Sequence, residues 1–160
     1  MKILSILFFC LAVFAAGAVN AFGQTEKENV IAAARALETA PLEGNTSKMA
    51  ERALKWAIET DEVSLVACGG TFSLFSDKKN KQSSLMTMSY TVGMAAYKLQ
   101  NPTGDENSVQ LAGLETALKA YEIAVKEKPK TKSDQVEALL VKRSNAELSA
   151  LVKAADCGKK

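Results

Sequence analysis

The sequence predicts an all-α fold, a bundle of about five to six helices with one extended irregular segment at about 61–82. Three observations predict it. Apolar residues recur at helical spacing through most of the chain beyond Gln24. The three prolines, Pro41, Pro102 and Pro129, fall between those periodic runs. Only Val63-Ser64-Leu65-Val66-Ala67-Cys68 has strand-like content, and a lone strand finds no partner in this chain.

Met1-Lys2 is followed by an apolar run from Ile3 to Val19 and then by Asn20-Ala21-Phe22-Gly23-Gln24. The run is shorter than the ~20 residues of a spanning helix, and small residues at Val19 and Ala21 suit a cleavage site. These features predict a signal peptide over 1–21, cleaved after Ala21 or Gly23, and a single helical domain over 24–160. A retained N-terminal anchor is the competing reading, opposed by the polar residues that begin at Gln24. Cys10, between Phe9 and Leu11, lacks the small neighbours of a lipoprotein acylation site and leaves with the leader. The mature protein is therefore expected in the periplasm or outside the cell.

Thr25 and Glu28 have capping-box spacing and open a first helix through Val30 to Leu37 that stops before Pro41. Asn45-Thr46-Ser47, also a glycosylation sequon, is expected to cap a second. Its apolar face would carry Met49, Ala50, Ala53, Leu54, Ala57 and Ile58, with Trp56 alongside. Between Asp61 and Gln82 the helical period lapses and Gly69-Gly70 breaks the chain. A short helix is expected around Thr71 to Phe75, with the segment held inside by Cys68, Phe72 and Phe75.

The third helix, from about Ser84 to Gln100, has a bulky stripe (Leu85, Met88, Val92, Ala95, Leu99) and a small one (Ser89, Gly93, Ala96). Met86, Tyr90, Met94 and Tyr97 cover much of the rest, the pattern of a central helix. After the Asn101–Asp105 loop, the fourth helix, from about Glu106 to Lys126, repeats it. Leu111, Leu114, Leu118, Tyr121 and Val125 are bulky, and Gly113, Ala117, Ala120 and Ala124 are small. Glu115 with Lys119, and Glu122 with Lys126, have i,i+4 spacing and mark a solvent face. An antiparallel hairpin would pair Gly93 with Gly113 and Ser89 with Ala117, both pairs being centred on Thr103 in the loop, so that the small stripes meet. Ser133 caps a fifth helix (Val136, Leu139, Leu140), and Ser144-Asn145 restarts a sixth through Leu148, Leu151 and Val152 toward Cys157.

Composition narrows the function. The chain has 48% hydrophobic and 24% charged residues, a net charge of +2 and no histidine. Without imidazole there is no Ser-His-Asp or Cys-His catalysis, no His-ligated haem and no His-containing zinc site. A near-neutral chain is not expected to bind nucleic acid. Cys68 and Cys157 are the cysteines outside the leader, and in an oxidising compartment they are expected to form a disulfide. A reactive thiol at Cys68 beside Gly69-Gly70 is the rival, with no imidazole to activate it.

Four further patterns carry chemical readings. Ala117, Tyr121, Ala124 and Pro129 are spaced as in the second helix of a tetratricopeptide repeat, and this stretch resembles half of one. The position twelve residues before Ala117 is Asp105, in a loop, and no second copy follows, so stacked repeats are not expected. Met49, Met86, Met88 and Met94 suggest a thioether site, but residues two apart on a helix point about 200° apart, so core filling is expected. Asp61, Glu62 and Asp77 are the carboxylates near the irregular segment and the available acid/base groups. Lys126, Lys128, Lys130 and Lys132 flank Pro129, where they complement a helix C-terminus or form a docking surface, aided by Lys78, Lys79 and Lys81 if folding brings the loops together.

These features predict an exported, disulfide-linked binding or interaction module of the inhibitor, immunity or chaperone-like kind, acting on another protein or an envelope component without catalysis. Lys126, Lys128, Lys130 and Lys132 are its candidate surface. No metal, cofactor, nucleic-acid partner or transmembrane segment in the mature chain is expected. The alternatives are a hydrolase using Asp61, Glu62 or Asp77, and a carrier of a small apolar ligand held between helices, with Trp56 and the tyrosines as walls.

Overall fold

A computed structural model describes residues 25–66, 68–76 and 79–157. The expected leader with Ala21 and Gly23, and also Asp77 and Lys78, lie outside these residues. In chain order the elements are α1 (Glu26–Thr39), α2 (Gly44–Glu59), α3 (Gly69–Ser73), α4 (Ser83–Gln100), α5 (Glu106–Glu127), a 3-10 turn (Pro129–Thr131), α6 (Asp134–Ser144) and α7 (Leu148–Ala154). No strand occurs among the described residues, and no helix there is long and apolar enough to cross a membrane.

The centre is the α4–α5 hairpin. A Cβ added at Gly93 would lie 3.2 Å from the Gly113 Cα, and one at Gly113 would lie 2.6 Å from the Tyr90 carbonyl oxygen. The backbones therefore touch at the glycine pair that the small stripes predict. The turn is closed by the Gly104 amide donating to the Asn101 carbonyl at 2.9 Å, and Asp105 caps α5 by accepting from the Ser108 amide at 3.1 Å.

Because α4 is apolar on opposite faces, two cores form. On one side α1 and α2 lay Val30, Ala33, Leu37, Ala50 and Ala53 against Val92, Ala95 and Ala96. On the other, Met86, Tyr90 and Met94 meet Leu114, Leu118 and Tyr121 of α5, with Val136 and Leu139 of α6 and Leu148 and Val152 of α7 closing the layer. Each large side chain buried this way contributes about 1.5–3 kcal/mol. α1 starts at the expected capping box, Thr25 and Glu28 exchanging bonds of 2.8 and 3.3 Å. Cys68 and Cys157 are disulfide-bonded, their Cα atoms 5.3 Å apart, which ties the C-terminal end to the start of α3.

Several expectations are corrected. α2 begins at Gly44 with Glu43 as its N-cap, so Asn45, Thr46 and Ser47 lie within its first turn. A turn closed from the Glu43 amide to the Ala40 carbonyl brings the chain into helical geometry before them. The irregular segment is not buried throughout: Val63, Cys68 and Phe75 are inside, whereas Phe72 is 38% exposed. Ile58, placed by periodicity on the core face of α2, is 72% exposed. The expected i,i+4 pairs of α5 give way to tertiary ones. Lys119 pairs with Glu38 of α1 at 2.9 Å, and Arg143 of α6 reaches Glu122 at 2.6 Å and Glu115 at 4.0 Å. The face of α5 assigned to solvent stays exposed at Lys119 and Lys126, but its ion pairs reach neighbouring helices.

Candidate functional site

A cleft of about 560 Å³ opens between the end of α2, the extended residues after it, α3 and α4. Ala57 and Ile58 form one lip, Val63 and Leu65 a side, Cys68, Gly69 and Phe72 the opposite wall, and Tyr90, Thr91 and Met94 the floor. Hydroxyls at Thr60, Ser64 and Thr91 supply its polar side chains besides Tyr90, and among the described residues no Asp, Glu, Lys or Arg lines it. That size and apolar character fall within the range of small-molecule sites.

Long-range ties rather than local periodicity set the cleft's shape. Gln110, fully buried on α5, accepts a hydrogen bond from the Tyr90 hydroxyl and donates one to the Val66 carbonyl at 2.9 Å. It thereby joins the floor to the extended wall. Its amide also donates to Glu106. Beyond Val66, Cys68 is held by the disulfide, and the buried Thr71 hydroxyl lies 3.5 Å from both sulfurs. Phe75 packs edge-on against Tyr90 with ring centres 5.2 Å apart, and the Asn80 amide donates to the Phe75 carbonyl at 2.8 Å. Burial pushes the Tyr90 phenol well above its ordinary pKa, so the floor presents a neutral group at physiological pH.

The described lysines and carboxylates singled out in the sequence lie elsewhere, whereas Cys68, Phe72, Tyr90 and Met94 line the cleft. Cys68 is in the wall. Lys126, Lys128 and Lys130 are exposed around the end of α5, while Lys132 pairs with Glu137 at 3.6 Å. Folding does bring Lys79 and Lys132 to the edge of one depression, shared with Ser133, Asp134 and Gln135. Asp61 and Glu62 are exposed and do not line the cleft, and Glu62 is ion-paired with Lys27. Of the aromatic residues named as walls, Tyr90 lines the cleft and Trp56 does not; Tyr121 belongs to the core between α4, α5 and α6. Met86 is core, on the opposite side of α4 from Met88, as their spacing requires. Among the described residues no group of three or more Cys, Asp or Glu is placed to hold a metal ion.

Sequence reasoning missed Ile58 and Phe72 as rim residues. The available signal was their large apolar side chains on either side of a segment with no regular period, where neither helical face could bury them.

The chain matches no known protein family, no curated protein and no solved structure.

Proposed function

We propose that the protein is an exported, non-enzymatic binding protein whose site is the cleft between α2, α3 and α4, and whose ligand is a small apolar molecule, uncharged over the part that enters. The observation that carries this reading is the apolar lip. Ile58 stands 72% exposed and Phe72 38% exposed at the mouth of a cleft that they both line. Leaving a large aliphatic side chain in water forgoes about 1.5–3 kcal/mol of burial, which a bound apolar molecule recovers. The lining argues for neutrality. A charged group brought inside would lose its hydration with no ionised side chain among the described lining residues to pair it. Thr60, Ser64 and Thr91 leave room for one hydroxyl or carbonyl on the ligand to be satisfied.

The test compares native and denatured masses of the protein purified gently from its own compartment. The expected result is a native excess that disappears on denaturation, with an uncharged compound recovered by organic extraction. A protein that is bare on isolation, and stays bare in excess N-phenyl-1-naphthylamine, contradicts the reading. The denatured mass also fixes the leader cleavage site and shows whether Cys68 and Cys157 have lost two hydrogens.

A further inference from the structure

We propose that the Cys68–Cys157 disulfide is a redox-operated latch on the apolar cleft: while it is closed the α3 wall is held in place, and its reduction loosens that wall and releases the ligand. This rests on the ligand-binding reading above and adds its regulation.

Three features carry it. First, Cys68 is at once a lining residue of the cleft and one end of the cross-link, so the bond acts on the wall directly. Second, the wall is anchored unequally. At its far end Phe75 is fully buried and packed on Tyr90, and before Cys68 the Val66 carbonyl is held by Gln110. Between them lie Cys68 and the short helix α3, which starts with Gly69-Gly70, residues that impose little backbone stiffness. α3 is too short to persist on its own hydrogen bonds, so its position depends on what it is fastened to: the disulfide beside it, the buried Thr71 and the Gln135 amide on the Ser73 carbonyl. Third, the two ends of the bond differ in burial. Cys68 is 5% exposed, whereas Cys157 is only partly buried, beyond the end of α7.

The chemistry is thiol–disulfide exchange with an external dithiol. Its thiolate bonds to the Cys157 Sγ as the Sγ–Sγ bond breaks, and Cys68 departs as a thiolate. The Thr71 hydroxyl, which donates to the Cys68 sulfur at 3.5 Å, stabilises that leaving group. The second thiol of the reductant then displaces Cys157. The reductant ends as a disulfide, and its two protons reside on Cys68 and Cys157. With the latch open the cleft loses its fixed wall, and affinity falls because that wall must be ordered again on binding.

The experiment titrates the neutral fluorophore N-phenyl-1-naphthylamine into oxidised protein, into protein reduced with excess dithiothreitol, and into oxidised Gly70→Ala. In this variant a Cβ placed 3.0 Å from the Ala155 Cβ shifts α3 against the C-terminal segment by a few tenths of an ångström with the disulfide intact. The expected result is saturable binding to the oxidised protein, weakened about tenfold or more on reduction while the helical circular dichroism persists, and restored on reoxidation. Affinity within twofold in oxidised and reduced folded protein overturns the latch. If reduction unfolds the chain, Gly70→Ala decides: weaker binding supports the latch and unchanged binding overturns it. Absence of binding to the oxidised protein overturns the ligand-binding reading itself, an outcome distinct from failure of the latch.

Discussion

The Tyr121 hydroxyl accepts a hydrogen bond from the Ser133 amide at 2.8 Å and donates one to Glu137 at 3.0 Å. Burial, reinforced by the Glu137 carboxylate, pushes its pKa up from 10.0 to about 12. The native state therefore keeps this proton after the unfolded chain has lost it. The stabilisation is complete below pH 10 and is lost as pH rises toward 12. Tyr90, shifted upward in the same direction, adds to the same alkaline loss. Urea unfolding in that window is expected to show a shallower fall of stability with pH for Tyr121→Phe than for the unaltered protein. Parallel curves would contradict the assignment. Tyr121 is also where a single residue reaches two elements, because Ser133, at the N-cap of α6, makes no side-chain cap and is instead positioned by this phenol.

Among the elements, α4 and α5 explain why half of the fold can be read from the chain and half cannot. Their small stripes repeat at helical spacing and are centred on the same loop residue, so spacing alone brings Gly93 to Gly113. At Gly113 an added Cβ would lie 2.5 Å from the Met94 Cγ and 2.6 Å from the Tyr90 carbonyl oxygen. Backbone cannot yield as a side chain can, so Gly113→Ala is expected to cost about 1–3 kcal/mol by forcing the helices apart. Thermal or denaturant unfolding measures it, and a cost below about 0.5 kcal/mol would contradict the register. The extended wall after α2 has no such local signature. Its path is set by Gln110 holding Val66, 44 residues away, and by Cys68 holding Cys157, 89 residues away. Neither tie has a period that a sequence window can detect. The cysteine pair is legible because two of the three cysteines lie outside the expected leader and allow one pairing, whereas Gln110 lies on a helix among residues that give no hint of its partners. Ile58 shows the converse: its spacing fits the apolar face of α2, but it falls in the last turn, where the cleft leaves that face uncovered.

For the whole molecule, the disulfide joins the cleft wall to the segment after α7 and closes an 89-residue loop. The chain-entropy treatment puts that constraint at about 4–5 kcal/mol of stability. The central hairpin, the two cores flanking α4 and this cross-link form a scaffold that fixes three sides of the cleft, while α3 is held by the disulfide beside it, the buried Thr71 and the Gln135 amide on the Ser73 carbonyl. The lysines around Pro129 lie on other elements, around the end of α5 and the 3-10 turn, so a surface role for them would be separable from ligand binding by mutation.

The most direct measurement is a titration of N-phenyl-1-naphthylamine into the oxidised protein and into Ser64→Trp, with the anionic 1-anilinonaphthalene-8-sulfonate in parallel. Ser64 is exposed yet lines the cleft, so an indole there fills the site without disturbing either core. Saturable one-to-one binding of the neutral probe, weaker binding of the sulfonate, and loss of both in Ser64→Trp are expected. No saturable binding, or binding that Ser64→Trp leaves unchanged, would contradict the assignment of this cleft as a site for neutral apolar ligands.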